Sequence, residues 1–206
     1  MTVSGGSEPV GSATSRPGGA LQGLFVAIVG PSGAGKDALI RGLSARLGEA
    51  DGVFYPRRVV TRRADAFEDH ETLAESEFLL ARERGRFALS WAAHGLFYGV
   101  PSDIDARIAK GCAVVCNISR AVVADVRRRY ARSLVVLVTA QPETLAARLA
   151  ARGREGAEGR RERLDRAFAR EAALEPDATI DNDGALDDAI SRLHDLVASH
   201  RWSAQP

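Results

Sequence analysis

Six consecutive apolar residues, Leu24-Phe-Val-Ala-Ile-Val29, run directly into Gly30. An unbroken apolar run of strand length describes a strand buried on both faces, the condition of a parallel strand in an α/β sheet. From Asp37 to about Leu47 the period changes, and Leu39, Ile40, Leu43 and Leu47 fall on one helical stripe. Buried-strand patterns return at Ala113–Ile118 and Leu134–Thr139. The second is followed by Pro142-Glu143, a good helix start, and an Arg-studded helix to about Ala151. A short strand, Ala178-Thr-Ile180, leads through Asn182-Asp183-Gly184 to a closing helix from Leu186 to about Ser199. Strands alternating with helices predict one α/β domain over residues 23–206, with a parallel sheet flanked by helices. Residues 53–99 break the rhythm: charged and spotted with aromatics, they read as an insertion over the ligand-binding edge of the sheet. The polar, glycine-flanked stretch around residues 152–162 reads as a lid between two helical segments. Residues 1–22, mostly Gly, Ser, Thr, Pro and Ala, read as a disordered tail.

Composition narrows the partners. The 206 residues amount to about one domain. Their 45% apolar and 27% charged content is that of a soluble globular protein. No run of about 18 apolar residues is present, so no membrane span is expected. A net charge of +1 gives no global field for nucleic acid. Without a basic start and an apolar stretch for secretion, the expected compartment is the cytoplasm, with the chain a monomer or homodimer. Of 28 basic side chains only Lys36 and Lys110 are lysines, so phosphate recognition falls mostly to planar, bidentate guanidinium groups. Cys112 and Cys116, if on one strand, lie roughly 13 Å apart, too far for a disulfide. They read as buried thiols.

The chemistry concentrates between the first strand and the first helix. Gly30, Pro31, Ser32, Gly33, Ala34, Gly35, Lys36 and Asp37 form G-x-x-x-x-G-K, a phosphate loop in the strand-then-helix setting that the motif requires. Its glycines let successive N–H groups converge on an anion, the helix adds the positive end of its dipole, and Lys36 reaches the β- and γ-phosphates of ATP. A Ser or Thr that coordinates Mg²⁺ usually ends such a loop, but here the position is Asp37. A carboxylate is also a hard ligand for Mg²⁺, and equally a helix N-cap. The metal role is the expected one.

Past the loop, Thr61-Arg62, Ser90-Trp91, His94-Gly95-Leu96-Phe97-Tyr98-Gly99, Arg148-Leu149-x-x-Arg152-Gly153, Arg163-Leu164 and Asn182-Asp183 follow in order. Together they resemble the guanylate kinase fold group of P-loop kinases. The loop's terminal Asp37, Leu89-Ser90-Trp91 and Arg152-Gly-Arg-Glu155 resemble in particular its ribose 1,5-bisphosphate phosphokinase branch. The resemblance implies Arg62 and Tyr98 on the acceptor phosphate, His70 at an acceptor-site Tyr position, and Ser90 where guanylate kinases carry a guanine-reading Glu. It also places Val100, Asn117 and Ser119 at further base-reading positions. No carboxylate remains at these places to accept the guanine N–H donors. An unmet buried donor costs about 1–3 kcal/mol, so guanine selection should be lost. The usual second acceptor Arg has only Asp65 or Arg63 to stand for it.

The implied reaction is transfer from ATP to the 1-phosphate of ribose 1,5-bisphosphate, giving 5-phosphoribosyl 1-diphosphate, as in phosphonate utilisation. The acceptor oxygen is already anionic near neutral pH, so no strong general base is needed. The site must instead neutralise and align a charge-rich transition state. By the resemblance, Lys36, Arg148, Arg152 and Arg163 do that with Mg²⁺. A nucleoside monophosphate kinase with an altered base pocket, and a non-catalytic binding module on the same fold, are the competing readings.

Overall fold

The computed structural model describes residues 23–63, 69–151 and 175–202. The expected tail, the lid with Arg152, Arg154 and Arg163, and Asp65 all lie outside the described residues. The main sheet is parallel throughout, with order β2-β7-β1-β8-β9. Its strands are β1 (Leu24–Val29), β2 (Val53–Phe54), β7 (Ala113–Asn117), β8 (Ser133–Thr139) and β9 (Ala178–Asp181).

Strand β1 sits between β7 and β8, and every one of its residues is buried. Alternation sends Leu24, Val26 and Ile28 into one core with helices α1 (Lys36–Ser44) and α6 (Leu186–Trp202). Phe25, Ala27 and Val29 enter a second core with α3 (Ile104–Ala109) and α4 (Val123–Arg129). A strand with a core on each side needs apolar residues at every position, which is the pattern read in the sequence.

A second sheet, order β4-β3-β6-β5, covers one end of that second core. It comprises β3 (Arg58–Val60), β4 (His70–Thr72), β5 (Phe87–Ala93) and β6 (Leu96–Pro101). The insertion therefore starts later than residue 53: Val53 pairs with Ala113 in the main sheet, and the added sheet opens at Arg58. Strands β5 and β6 join through His94-Gly95, both at positive φ (55° and 71°), a two-residue turn whose twist matches the flanking strands. Helix α2 (Glu75–Glu83) packs under this sheet through Phe78, stacked on Phe87 at 4.6 Å and Phe97 at 5.7 Å. Gly99 has no room for a side chain there, since a Cβ would stand 2.6 Å from the Phe87 ring. Helix α5 (Pro142–Ala151) follows β8, and α6 runs to Trp202, past the Ser199 expected.

Candidate active site

The turn from β1 to α1 is shaped by glycine. Gly30, Gly33 and Gly35 have φ of 145°, 89° and 90°, backbone that L side chains rarely adopt. At Gly30 a Cβ would also lie 2.0 Å from the Val138 carbonyl oxygen, and at Gly35 2.4 Å from Asn182 Nδ2. Gly35 is the N-cap of α1 and no side chain caps the helix, so its leading N–H groups are left for an anion. Asp37 therefore lies inside the first turn and does not serve as the N-cap. Lys36 Nζ donates to the carbonyls of Gly30 at 2.9 Å and Pro31 at 2.7 Å, which holds the ammonium against the loop.

Asp37 is embedded in a small polar network. Its Oδ1 accepts from Asn117 Nδ2 at 2.9 Å and is ion-paired with Arg58 at 3.6 Å. Both partners address Oδ1, which leaves Oδ2 available. Among the described residues no three His, Cys, Asp or Glu side chains gather to hold a metal. Mg²⁺ needs only one or two protein carboxylates beside substrate phosphates, so Asp37 fits it. Cys116, the neighbour of Asn117, has its thiol pushed up to about 12, chiefly by burial and partly offset by the Arg58 charge. Arg58 thus reaches the C-terminal end of β7 from the second sheet.

Asn182 ties three elements together. Its Nδ2 donates to the Ala34 carbonyl at 2.8 Å, its N–H to Thr139 and its carbonyl accepts from Arg148 Nη2 at 2.8 Å. Arg148 is thereby brought from α5 to the loop. Its Nη1 is buried with no hydrogen-bond partner among the described residues, a donor suited to a phosphate oxygen. Asp183 does different work. It accepts the Gln141 N–H on both oxygens at the start of α5. The Thr144 hydroxyl, with that N–H, holds its carboxyl below the usual range.

On the second sheet, Tyr98 stacks on Trp91 at 5.4 Å, nearly parallel. Trp91, Leu89 and Val100 pack into the core shared with the main sheet, so this face turns toward that sheet. Ser90 pairs with Gly99, whereas Leu89 pairs with Val100 and Trp91 with Tyr98. Side chains alternate along a strand, so Ser90 belongs to the opposite face, with Phe87 and α2. Ser90 thus lies on the opposite face from the Trp91–Tyr98 pair, and Leu89 is buried in the shared core. His70 is 2% exposed, and its Nε2 donates to the Arg62 carbonyl at 2.9 Å, with Thr72 Oγ1 donating to the same oxygen at 3.0 Å. It supports the Arg62 segment from beneath. Ser119 caps the turn after β7 by accepting from the Ala121 N–H, and Val100 is fully buried.

Arg58 and the linking role of Asn182 were not anticipated. A charged residue opening a short Val-Val strand was the available signal for Arg58.

The family model for guanylate kinase matches residues 23–200. The chain is 50% identical to a ribose 1,5-bisphosphate phosphokinase of Acidiphilium cryptum, over 78% of this chain and 84% of the relative. It is 47% identical to one of Methylobacterium radiotolerans, over 84% of this chain and 96% of the relative. The crystal structure of a guanylate kinase from Anaplasma phagocytophilum shares the fold with a TM-score of 0.70 at 17% identity, covering 88% of each chain.

Proposed function

The chain belongs to the guanylate kinase family, and within it to the ribose 1,5-bisphosphate phosphokinases; from that premise we propose how its residues carry out the transfer. The protein moves the γ-phosphoryl group of ATP onto the 1-phosphate oxygen of ribose 1,5-bisphosphate, yielding 5-phosphoribosyl 1-diphosphate and ADP. The bond from the γ-phosphorus to the ADP oxygen breaks as the bond to the acceptor oxygen forms. No proton needs removal, because the acceptor oxygen is anionic near neutral pH.

The glycine loop and the leading N–H groups of α1 hold the donor phosphates, and Lys36 places a point charge beside them. Arg148 offers its unengaged Nη1 to the transferring group, with Arg152 and Arg163 as further expected partners. Mg²⁺, held through Asp37, would neutralise phosphate charge and align the β- and γ-oxygens. Arg62 and Tyr98 grip the acceptor phosphate, and His70 sets the Arg62 segment. The unpaired thiols Cys112 and Cys116 suit a reducing compartment, and the cytoplasm is the setting that we infer.

One observation carries the choice of acceptor. At the positions that the resemblance assigns to base reading stand Ser90, Val100, Asn117 and Ser119: Val100 is apolar and buried, and the Asn117 amide and Ser119 hydroxyl are engaged with Asp37 and Ala121. The loop and Lys36 are intact beside them. A coupled ADP-release assay on ribose 1,5-bisphosphate and on GMP tests this reading. Turnover on the sugar bisphosphate alone is expected, and turnover on GMP alone would overturn it.

A further inference from the structure

Arg58 opens β3, and Tyr98 and Val100 lie on the neighbouring β6. Val60 pairs with Tyr98 and Val59 with Gly99, so alternation puts Arg58 and Val60 on the face of Tyr98 and Val100. That is the face turned to the main sheet. Arg62 lies four residues further along, at most about 13 Å away between Cα atoms. The Arg58 side chain is 11% exposed, and it reaches across to Asp37 Oδ1 at 3.6 Å.

This separation is too long for a hydrogen bond, and Asn117 already supplies one to the same oxygen at 2.9 Å. A guanidinium has five donors in a planar fork, and the contact shown for Arg58 among the described residues is this loose ion pair. A largely covered cation held so loosely gains from a closer, bidentate anion. The surroundings set the sign of that ligand: Leu89 and Val100 bring no charge, and Asp37 is shared with Asn117. A purine edge presenting N–H donors would meet a cation here, whereas a phosphate would meet its complement.

We propose that Arg58 forms a second anion subsite, which binds the phosphate at the far end of the acceptor, the 5-phosphate of the sugar. Arg62 and Tyr98 hold the reacting 1-phosphate, and Arg58 fixes the other end where a base would otherwise lie. The acceptor is thus selected by two charges a fixed distance apart. The inference rests on the reading that the acceptor is a sugar bisphosphate.

The test compares wild-type protein with Arg58→Met and Arg58→Lys on two acceptors, ribose 1,5-bisphosphate and ribose 1-phosphate. Thermal transitions and the KM for ATP are measured alongside. Wild type should prefer the bisphosphate about ten- to a hundredfold in kcat/KM, the worth of a charge-assisted contact. In Arg58→Met that preference should collapse toward unity through a raised KM for the bisphosphate, with the KM for ATP unchanged. Arg58→Lys, which keeps charge and bulk should the Met variant not fold, should retain only part of the preference. An undiminished preference in either variant would overturn the subsite. So would equal losses on both acceptors with a raised KM for ATP, which would make Arg58 only a counter-ion to Asp37. Absence of wild-type turnover on ribose 1,5-bisphosphate would instead refute the functional reading itself.

Discussion

Lys36 and Asn182 act on the same loop from opposite sides. Lys36 bonds the carbonyls of Gly30 and Pro31, and Asn182 bonds that of Ala34. The ammonium is thereby kept beside the position of the donor phosphates. Lys36→Ala should lower kcat about a hundred- to a thousandfold, as loss of one charge-stabilising group does, while the thermal transition moves little. A steady-state assay beside a melting curve checks both halves. Thiol reactivity offers a second reading at this scale. Cys116 is buried with its thiol pushed up to about 12 mainly by burial, whereas Cys112 is partly exposed. A disulfide reagent on native protein near pH 8 should modify Cys112 quickly and Cys116 only after denaturant is added. Fast modification of both would contradict the packing of β7. Lys36 and the loop glycines were legible in the sequence because their chemistry is local and the spacing itself carries it. Ser90 was not: its identity is readable, but its face depends on register with β6, and one residue of shift reverses it. Arg58 gave only the sign of a charge opening a Val-Val strand, since its partner Asp37 is reached only when the second sheet folds over the first.

Strands β1, β7 and β8 were legible almost to the residue, because burial on both faces leaves a continuous apolar signature, whereas β2, two residues long, was read as part of the insertion. The second sheet was legible only as an irregular insertion. Its strands β3 and β4 have three residues each and include Arg58, His70, Glu71 and Thr72, too short and too polar to set a period. Its stability comes instead from α2, whose Phe78 is fully buried between the rings of Phe87 and Phe97. Phe78→Ala should cost about 3–5 kcal/mol. At about 2–4 °C per kcal/mol for a chain of this size, that is a fall of roughly 10 °C in Tm. The acceptor KM should suffer more than the KM for ATP, since the phosphate loop belongs to the other sheet. A fall in Tm of a degree or less would show that α2 does not carry the sheet. The turn at His94 makes a smaller, opposite prediction: Gly or Asn at this positive-φ position should be tolerated or mildly stabilising, whereas Val should destabilise.

Across the whole molecule, one ionic contact joins α3 to α4 beneath the second core. Asp105 accepts from Arg129 and, at 2.8 Å, from the Tyr130 hydroxyl, whose ring stacks on Phe25 at 4.9 Å. Burial alone would raise the Asp105 carboxyl, but the Arg129 and Tyr130 hydrogen bonds outweigh it and hold the carboxyl below its usual value. A carboxyl depressed in the folded state contributes stability above its unfolded value of about 4, lost as pH falls through the folded value. Denaturant titrations of Asp105→Asn and wild type should therefore differ at pH 7, and the difference should shrink as pH falls below about 4. A constant difference across that range would contradict the assignment.

At the same scale, the proposed site sets cationic side chains against the phosphates and has no carboxylate at Ser90, Val100, Asn117 or Ser119, the positions that the resemblance assigns to base reading. Phosphorus NMR of the reaction products, run with ATP and ribose 1,5-bisphosphate and in parallel with ATP and GMP, tests that most directly. A diphosphate on the sugar C1 should grow as ATP is consumed, with GMP returned unchanged. Formation of GDP, with the sugar bisphosphate signals unaltered, would contradict it.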